Sequence, residues 1–320
     1  MHDVNLCLFA HFDKDDKVDE HVLRYLEKIR ESGFEIVFIS TSRLSAACVA
    51  RLRSECRDVI LRENKGFDFA SWSAGFAKHR DAIGGRLLLA NDSVYGPIGS
   101  LRTALDRLTS VPTDFYGMVE SIEAKPHLQS WFVLLEPWVV RDEAFKAVMT
   151  QPFGEMAKAQ IIARGEVALS QQLVAAGFRY NALCKRDSFG TLPPRHAMNP
   201  MLLFWHEVLF EQGVPFLKIE LLRDNPLEVE GAGAILREVA HTEPRFGSII
   251  KSHLTRTRNT VAVLRRPLLL SRLRCTLIRK RFRRARQKRL MGAALLTVLL
   301  ALVTTPIIMG RAVKALFGLR

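Results

Sequence analysis

At 320 residues the chain exceeds one small domain and suits a single large α/β domain with appendages. It carries 47 Lys and Arg, and 18 of these lie between Lys251 and Arg320, where no Asp or Glu occurs. That leaves 29 basic against 33 acidic residues in positions 1–250, so the net +14 describes a basic tail on a slightly acidic body and excludes nothing about the body's ligand.

In chain order, VNLCLFAHF reads as a buried strand, and Asp19 to Arg30 places Val22, Leu23, Leu26 and Ile29 at helical spacing. Gly33 stops that helix and EIVFISTS is the next strand. Ser45 to Cys56 follows as a helix and Asp58 to Arg62 as a short strand. ENKGFDFASWSAGF is a Gly66 turn leading into a helix, and LLLA (Leu87–Ala90) is a further buried strand. FYGMVES and SWFVLLEP supply strands in the middle of the chain. Helices dominate from Phe145 onward, at Phe153–Ala163, Val167–Ala176 and Met201–Gln212, with a loop over Asp187–Pro200. This alternation predicts a parallel sheet with crossover helices. Cys7, Cys48, Cys56, Cys184 and Cys275 are scattered and never spaced as CxxC, which argues against a disulfide framework or structural zinc and for a reducing compartment. The first twenty residues lack a charged-then-apolar leader, so no signal peptide is expected.

Leu290 to Met309 is a run of 20 residues without a charge, about 30 Å of helix and the thickness of a bilayer core. Eight basic residues between Arg279 and Arg289 precede it, and only Arg311, Lys314 and Arg320 follow. The heavier basic flank predicts a membrane helix with the body on the cytoplasmic side. A helix lying in the interface is the alternative. Nucleic acid is not expected as a partner, because the neighbouring apolar run accounts for the arginines. The expected organisation is an α/β domain over 1–235, a basic helical linker or membrane-proximal segment over 236–289, a transmembrane or membrane-embedded helix over 290–310 and a short basic tail over 311–320.

No GxGxxG follows the first strand, and neither a GxSxG elbow nor a GxxxxGK phosphate loop is present. What stands out instead is LLLANDSVYGP, Leu87 to Pro97, where a buried strand breaks at once into Asn91, Asp92 and Ser93. Ligands of open α/β sheets bind at the carboxyl ends of strands, so Asp92 either handles a ligand or caps the next helix.

Four stretches, ENKGFDFASW, LLLANDSVYGP, HLQSWFVLLEP and NPMLLFWHEVLFEQGVPFLKIELLRDNP, together resemble the rhamnan synthesis protein F family of bacterial glycosyltransferases. The resemblance covers roughly residues 1–230. It implies a glycosyltransferase-A-like, Rossmann-type mixed sheet with flanking helices. It also implies transfer of a sugar, often rhamnose from a dTDP-activated donor, to a lipid-linked cell-surface polysaccharide or lipopolysaccharide. Asp92 stands where that pattern keeps Asp-x-Asp, which makes it the expected ligand of a divalent metal, Mg²⁺ or Mn²⁺, with Asn91 and Ser93 beside it at the donor. Only one of the three is acidic here. Asn64, Gly66 and Asp68 form a second donor-binding group, with Gly66 allowing close backbone approach and Asp68 bonding a sugar hydroxyl. Asp68 could equally serve as an acid in the first turn of a helix. GEVALSQQLVAAGF resembles the helix on which inverting enzymes of this fold keep their base, which places Glu166 in that role. His127, Lys218 and Arg223 are candidate phosphate or acceptor contacts, with Glu220 or Asp224 orienting the arginine. The alternative to an enzyme is a membrane-anchored module that keeps this fold but has lost turnover, since both the metal motif and the base have lost a companion acid.

Overall fold

LCLFAH forms the first strand, β1 (Leu6–His11), with all six residues buried. A continuous apolar run of this kind needs cover on both faces. Phe9 meets Tyr25 edge to face at 5.4 Å from one side, where α1 (Glu20–Glu31) lies. The computed structural model describes residues 4–121, 123–189, 199–229 and 231–257. The expected membrane helix 290–310, the tail 311–320, the basic run Arg279–Arg289 and Cys275 lie outside the described residues. Among the described residues, no helix is long and apolar enough to cross a membrane.

Around β1 the chain lays down β2 (Glu35–Ser40), β3 (Asp58–Leu61) and β4 (Leu87–Asn91), all parallel, in the spatial order β3-β2-β1-β4. The crossovers are α1, α2 (Ala46–Glu55) and α3 (Phe67–His79), as the sequence pattern predicts. Ser45 caps α2, its hydroxyl accepting from the Cys48 amide. Past β4 the parallel expectation gives way. β5 (Val94–Tyr95) leaves the main sheet, and β7 (His127–Leu128) and β8 (Phe132–Leu135) both return antiparallel along β6 (Phe115–Ser121). β8 runs antiparallel to both β4 and β6, and β9 (Tyr180–Cys184) joins β6 in parallel. The result is a mixed α/β sheet with flanking helices. The short connection from β6 to β7 and β8 explains the change, because antiparallel strands can be joined by a hairpin without a crossover helix.

The carboxyl ends of β1, β2 and β4 stop at one level. His11 pairs with Ser40 across β1 and β2, and Ala10 with Asn91 across β1 and β4. A second, two-stranded sheet crosses this edge: β5 pairs antiparallel with β10 (Leu217–Lys218), Lys218 opposite Val94. Trp72 on α3 is fully buried, and its indole N–H donates to the Ala90 carbonyl at 3.1 Å, so it serves as core.

Two apolar clusters hold the described residues together. One joins β1, β2, β4 and β8 to α3 and the mid-chain helices through Leu8, Ile39, Trp72, Leu89 and Phe145. The other gathers Tyr95, Trp205 and Leu221 with Ile235, Val239, Phe246, Ile250 and Leu254. The last five lie on helices Ala232–Thr242 and Pro244–Thr257. At roughly 1.5–3 kcal/mol for each buried aliphatic or aromatic side chain, these helices are built into the body. A boundary at residue 235 would cut through the first of them, and 236–257 is packed structure where a membrane-proximal linker was expected.

Candidate functional site

The chain end of β4 turns sharply at Asn91-Asp92-Ser93. The Asn91 side-chain oxygen closes the turn by accepting from the Ser93 amide at 3.1 Å and the Ser93 hydroxyl at 2.7 Å. Its amide group donates to Asp68 at 2.7 Å. Asp68 arrives from the first turn of α3, whose entry depends on Gly66 at φ +77°. A Cβ at Gly66 would lie 2.6 Å from the Phe153 carbonyl oxygen. The close approach this glycine permits is therefore to the protein's own backbone. Asn64, two residues earlier, is exposed. The two donor-binding groups expected from sequence thus meet through the Asn91–Asp68 bond, and the helix-cap alternative for Asp92 and Ser93 is not realised, since Ser100 caps the next helix.

Asp92 accepts a hydrogen bond from the Phe12 amide at 2.9 Å, and its Oδ2 lies 3.9 Å from His11 Nε2. Its side chain stays 18 % exposed toward a cavity while protein surrounds it on the other sides. Burial, then the Asp68 carboxylate, push its pKa well above the usual carboxylate range. Asp68 is pushed up to about 6, chiefly by burial; Asn91 and Lys218 pull against this and Glu166 adds to it. Burial lowers His11 to about 4, so its imidazole is neutral at neutral pH, held by a 2.9 Å contact between Nδ1 and the Ser40 hydroxyl.

The cavity beyond Asp92 has a volume of about 620 Å³, and Asp92, Ser93, Lys218 and Arg223 all line it. Lys158 joins them from the mid-chain helices, and Phe12, half exposed, forms part of the wall. Lys218 is placed by β10, and the Ile219 amide donates to the Ser93 carbonyl at 3.1 Å, fixing the two walls together. Arg223 is oriented by Asp224, its Nε donating at 2.9 Å, so of the two acids expected for that task Asp224 performs it.

Glu166 sits on a π-helical turn, Ile162–Val167, inside what the sequence pattern predicts as two separate α-helices. Such turns are frequent at functional sites. Gly165 makes this one possible: a Cβ there would lie 2.7 Å from the Phe69 ring. Glu166 accepts from the Ser130 amide at 3.0 Å and influences both Asp68 and Glu123 electrostatically. Glu123 is raised by burial and then by Glu166, a neighbouring acid that sequence reasoning did not single out. His127 is buried on β7 with Nδ1 2.7 Å from the Lys125 carbonyl, and it does not line the cavity.

Sequence reasoning also missed a further group of residues. Asp19, His21 and His253 line the same cavity. Arg256, one turn beyond His253, pairs with Asp13, Asp15 and Asp19, the Asp13 contact being 2.6 Å. Burial works to raise Asp13, but Arg256 and the Asp15 and Lys17 amides outweigh it and hold the carboxyl below the usual range. The acidic loop Asp13–Asp16 is thus ordered by the last described helix, whose charges read in the sequence as part of a membrane flank.

For a divalent metal the donor sets differ across the cavity. At the β4 turn Asp92 supplies one carboxylate beside neutral side chains, a set that suits Mg²⁺, which completes its shell with phosphate oxygens and water. Asp92 belongs to no group of three His, Cys, Asp or Glu ligand atoms within 4.8 Å among the described residues, whereas Asp19, His21 and His253 form one.

A family model for rhamnan synthesis protein F matches residues 36–291. The chain belongs to that family. Among curated relatives, the uncharacterized protein y4gN of Sinorhizobium fredii is 28% identical over 170 residues, covering 51% of this chain and 44% of that protein. Virulence protein VirA of Vibrio anguillarum is 27% identical over 233 residues, covering 62% of this chain and 74% of that protein. The chain therefore spans less than half the length of the first relative. Among solved structures, a glycosyltransferase involved in glycosylation of the major capsid of PBCV-1 aligns with a TM-score of 0.32 at 12% identity, covering 67% of this chain and 92% of that one.

Proposed function

We propose that this rhamnan synthesis protein F family member transfers a sugar from a nucleoside-diphosphate donor to a hydroxyl of a glycan acceptor. One observation carries the reading: Asp92, Ser93, Lys218 and Arg223, from motifs far apart in the chain, line one cavity at the strand ends, with Asn91 and Asp68 bonded behind them. Transfer breaks the bond from the anomeric carbon to the phosphate oxygen and forms one to the acceptor oxygen. Glu166, close enough to act on Asp68 electrostatically though not itself in the cavity lining, takes the proton that the acceptor hydroxyl loses. The nucleoside diphosphate leaves with the bonding electron pair, and Lys158, Lys218 and Arg223 stabilise its charge. Phe12 offers a flat apolar face to the base. A divalent cation on Asp92 would add Lewis-acid stabilisation of the leaving diphosphate.

The finer reading is dTDP-rhamnose as donor, inversion at the anomeric carbon, and a lipid-linked polysaccharide as acceptor. It takes support from the family match and from the uncharged run Leu290–Met309 behind eight basic residues. That run would hold the chain at the cytoplasmic membrane with the body on the cytoplasmic face, close to such an acceptor. The test is a donor-cleavage and transfer assay on the full chain with dTDP-, UDP- and GDP-sugars, each with Mg²⁺, Mn²⁺ or EDTA. Release of one nucleoside diphosphate that disappears in Asp92→Ala and Glu166→Ala is expected. Nucleotide-induced stabilisation without transfer would favour the binding module, and silence in both measurements would overturn the donor site.

A further inference from the structure

The lining of the same cavity contains an arrangement that sugar transfer as described leaves unused. His21, on α1, is only 4 % exposed, and neither ring nitrogen has a hydrogen-bond partner among the described residues. A buried imidazole with both nitrogens unsatisfied is costly and calls for an explanation. Its ring lies 4.3 Å from that of His253, centroid to centroid. Nδ1 of His253 is 2.6 Å from the Tyr95 hydroxyl, and Nε2 faces Asp19 Oδ2 at 3.6 Å, beyond hydrogen-bond distance. If Nδ1–H donates to Tyr95, the Nε2 lone pair points at Asp19 Oδ2, an oxygen that accepts from the Arg256 guanidinium but has no donor on the histidine side.

We propose that Asp19, His21 and His253 form a binding site for a divalent transition-metal ion. Their ligand atoms lie within 4.8 Å of one another. Two ligands about 2.1 Å from a shared ion at a tetrahedral angle stand about 3.4 Å apart, close to the His253–Asp19 separation. Two imidazoles and one carboxylate select a borderline ion such as Zn²⁺, Co²⁺ or Ni²⁺ over Mg²⁺ or Ca²⁺. Tyr95 acts as the outer partner that fixes the tautomer and orientation of His253, the usual arrangement for a metal-bound histidine. Asp13, Asp15 and Asp19 gather around the guanidinium of Arg256 beside the two histidines, which keeps carboxylate charge next to the proposed ligands. Three protein ligands leave coordination positions open, and all three residues border the cavity. The site is distinct from Asp92, and its occupancy does not depend on which donor binds.

The test uses the untagged full chain with Co²⁺ alone, without nucleotide, read by visible absorption and by equilibrium dialysis. One equivalent of Co²⁺ is expected, displaced by Zn²⁺. His21→Ala and His253→Gln should each weaken binding by more than about 100-fold, and Tyr95→Phe by about 10–100-fold. Asp92→Ala should leave this binding intact. No bound Co²⁺ in the wild type overturns the proposal, as does retention of wild-type affinity in either histidine variant. If His21→Ala fails to fold, His253→Gln and Tyr95→Phe decide the matter, because each leaves the buried His21 in place.

Discussion

Asp68→Asn tests whether the cavity is organised around a carboxylate that the fold tolerates at a cost. Burial lifts the Asp68 pKa from 3.8 to about 6. A carboxyl raised in the folded state binds its proton more tightly there than in the unfolded chain. Its contribution is fully favourable below the unfolded value and is lost as pH rises through the folded one. With about 1.36 kcal/mol per unit, ionising Asp68 costs the native state about 3 kcal/mol by pH 8 and only about 0.5 kcal/mol near pH 4. Asparagine keeps an oxygen to accept from Asn91 and carries no charge. The variant should therefore lie within about 0.5 kcal/mol of the wild type near pH 4 and exceed it by about 3 kcal/mol at pH 8, a rise in melting temperature of about 6–10 °C for a body of this size. Thermal unfolding of both proteins from pH 4 to 8, without metal or nucleotide, measures this directly. A difference that does not change with pH, or a variant less stable at pH 8, would refute the reasoning and mean that attraction to Lys218 outweighs burial. Sugar transfer by the variant should fall even as stability rises, the trade expected of a site residue.

Glu166→Gln should lower transfer by about 10²–10⁴-fold while leaving nucleotide binding unchanged, as isothermal titration would show, because the amide keeps the shape but cannot take a proton. Gly165→Ala should destabilise the protein by about 1–3 kcal/mol in denaturant unfolding, since the new methyl meets the Phe69 ring at 2.7 Å. Arg256→Ala should cost about 3 kcal/mol by leaving Asp13 and Asp19 without their cation. Asp13 is held below the usual carboxylate range, so that loss should be present at neutral pH and shrink as pH falls into the acid range where Asp13 protonates in both states.

The front half of the fold was legible because each strand there is a continuous apolar run and each crossover has helical spacing. Leu6–His11 and Glu35–Ser40 fall inside the segments read from the sequence, Leu87–Asn91 runs one residue past its segment, and the NDS turn marks the edge where the cavity opens. The middle was harder to read. Between Phe153 and Ala175 the periodicity of 3.6 is interrupted by a 3₁₀ turn and a π-helical turn, which depend on how Gly165 meets Phe69 rather than on the local pattern. Gly66 was assigned a close approach correctly in kind but not in partner, since a sequence cannot say whether backbone or ligand fills the space over a glycine.

A further part of the cavity lining was hidden for a different reason. Composition divides this chain at Lys251, because every residue after it is basic, neutral or apolar. Packing divides it elsewhere: Ile250 and Leu254 fill the cluster around Tyr95 and Trp205, and the same helix turn carries His253 and Arg256 into the cavity wall. Charge statistics assigned Arg256 to a membrane flank, whereas its three carboxylate partners lie on the loop just past β1, more than two hundred residues earlier. An ion pair across that separation has no local signature, and neither does a histidine pair formed by residues 21 and 253. What the sequence did contain was four aspartates between Asp13 and Asp19 against only two lysines, Lys14 and Lys17. Such an imbalance beside a strand end is itself a prediction that distant cations, a guanidinium and in our proposal a metal ion, complete the site.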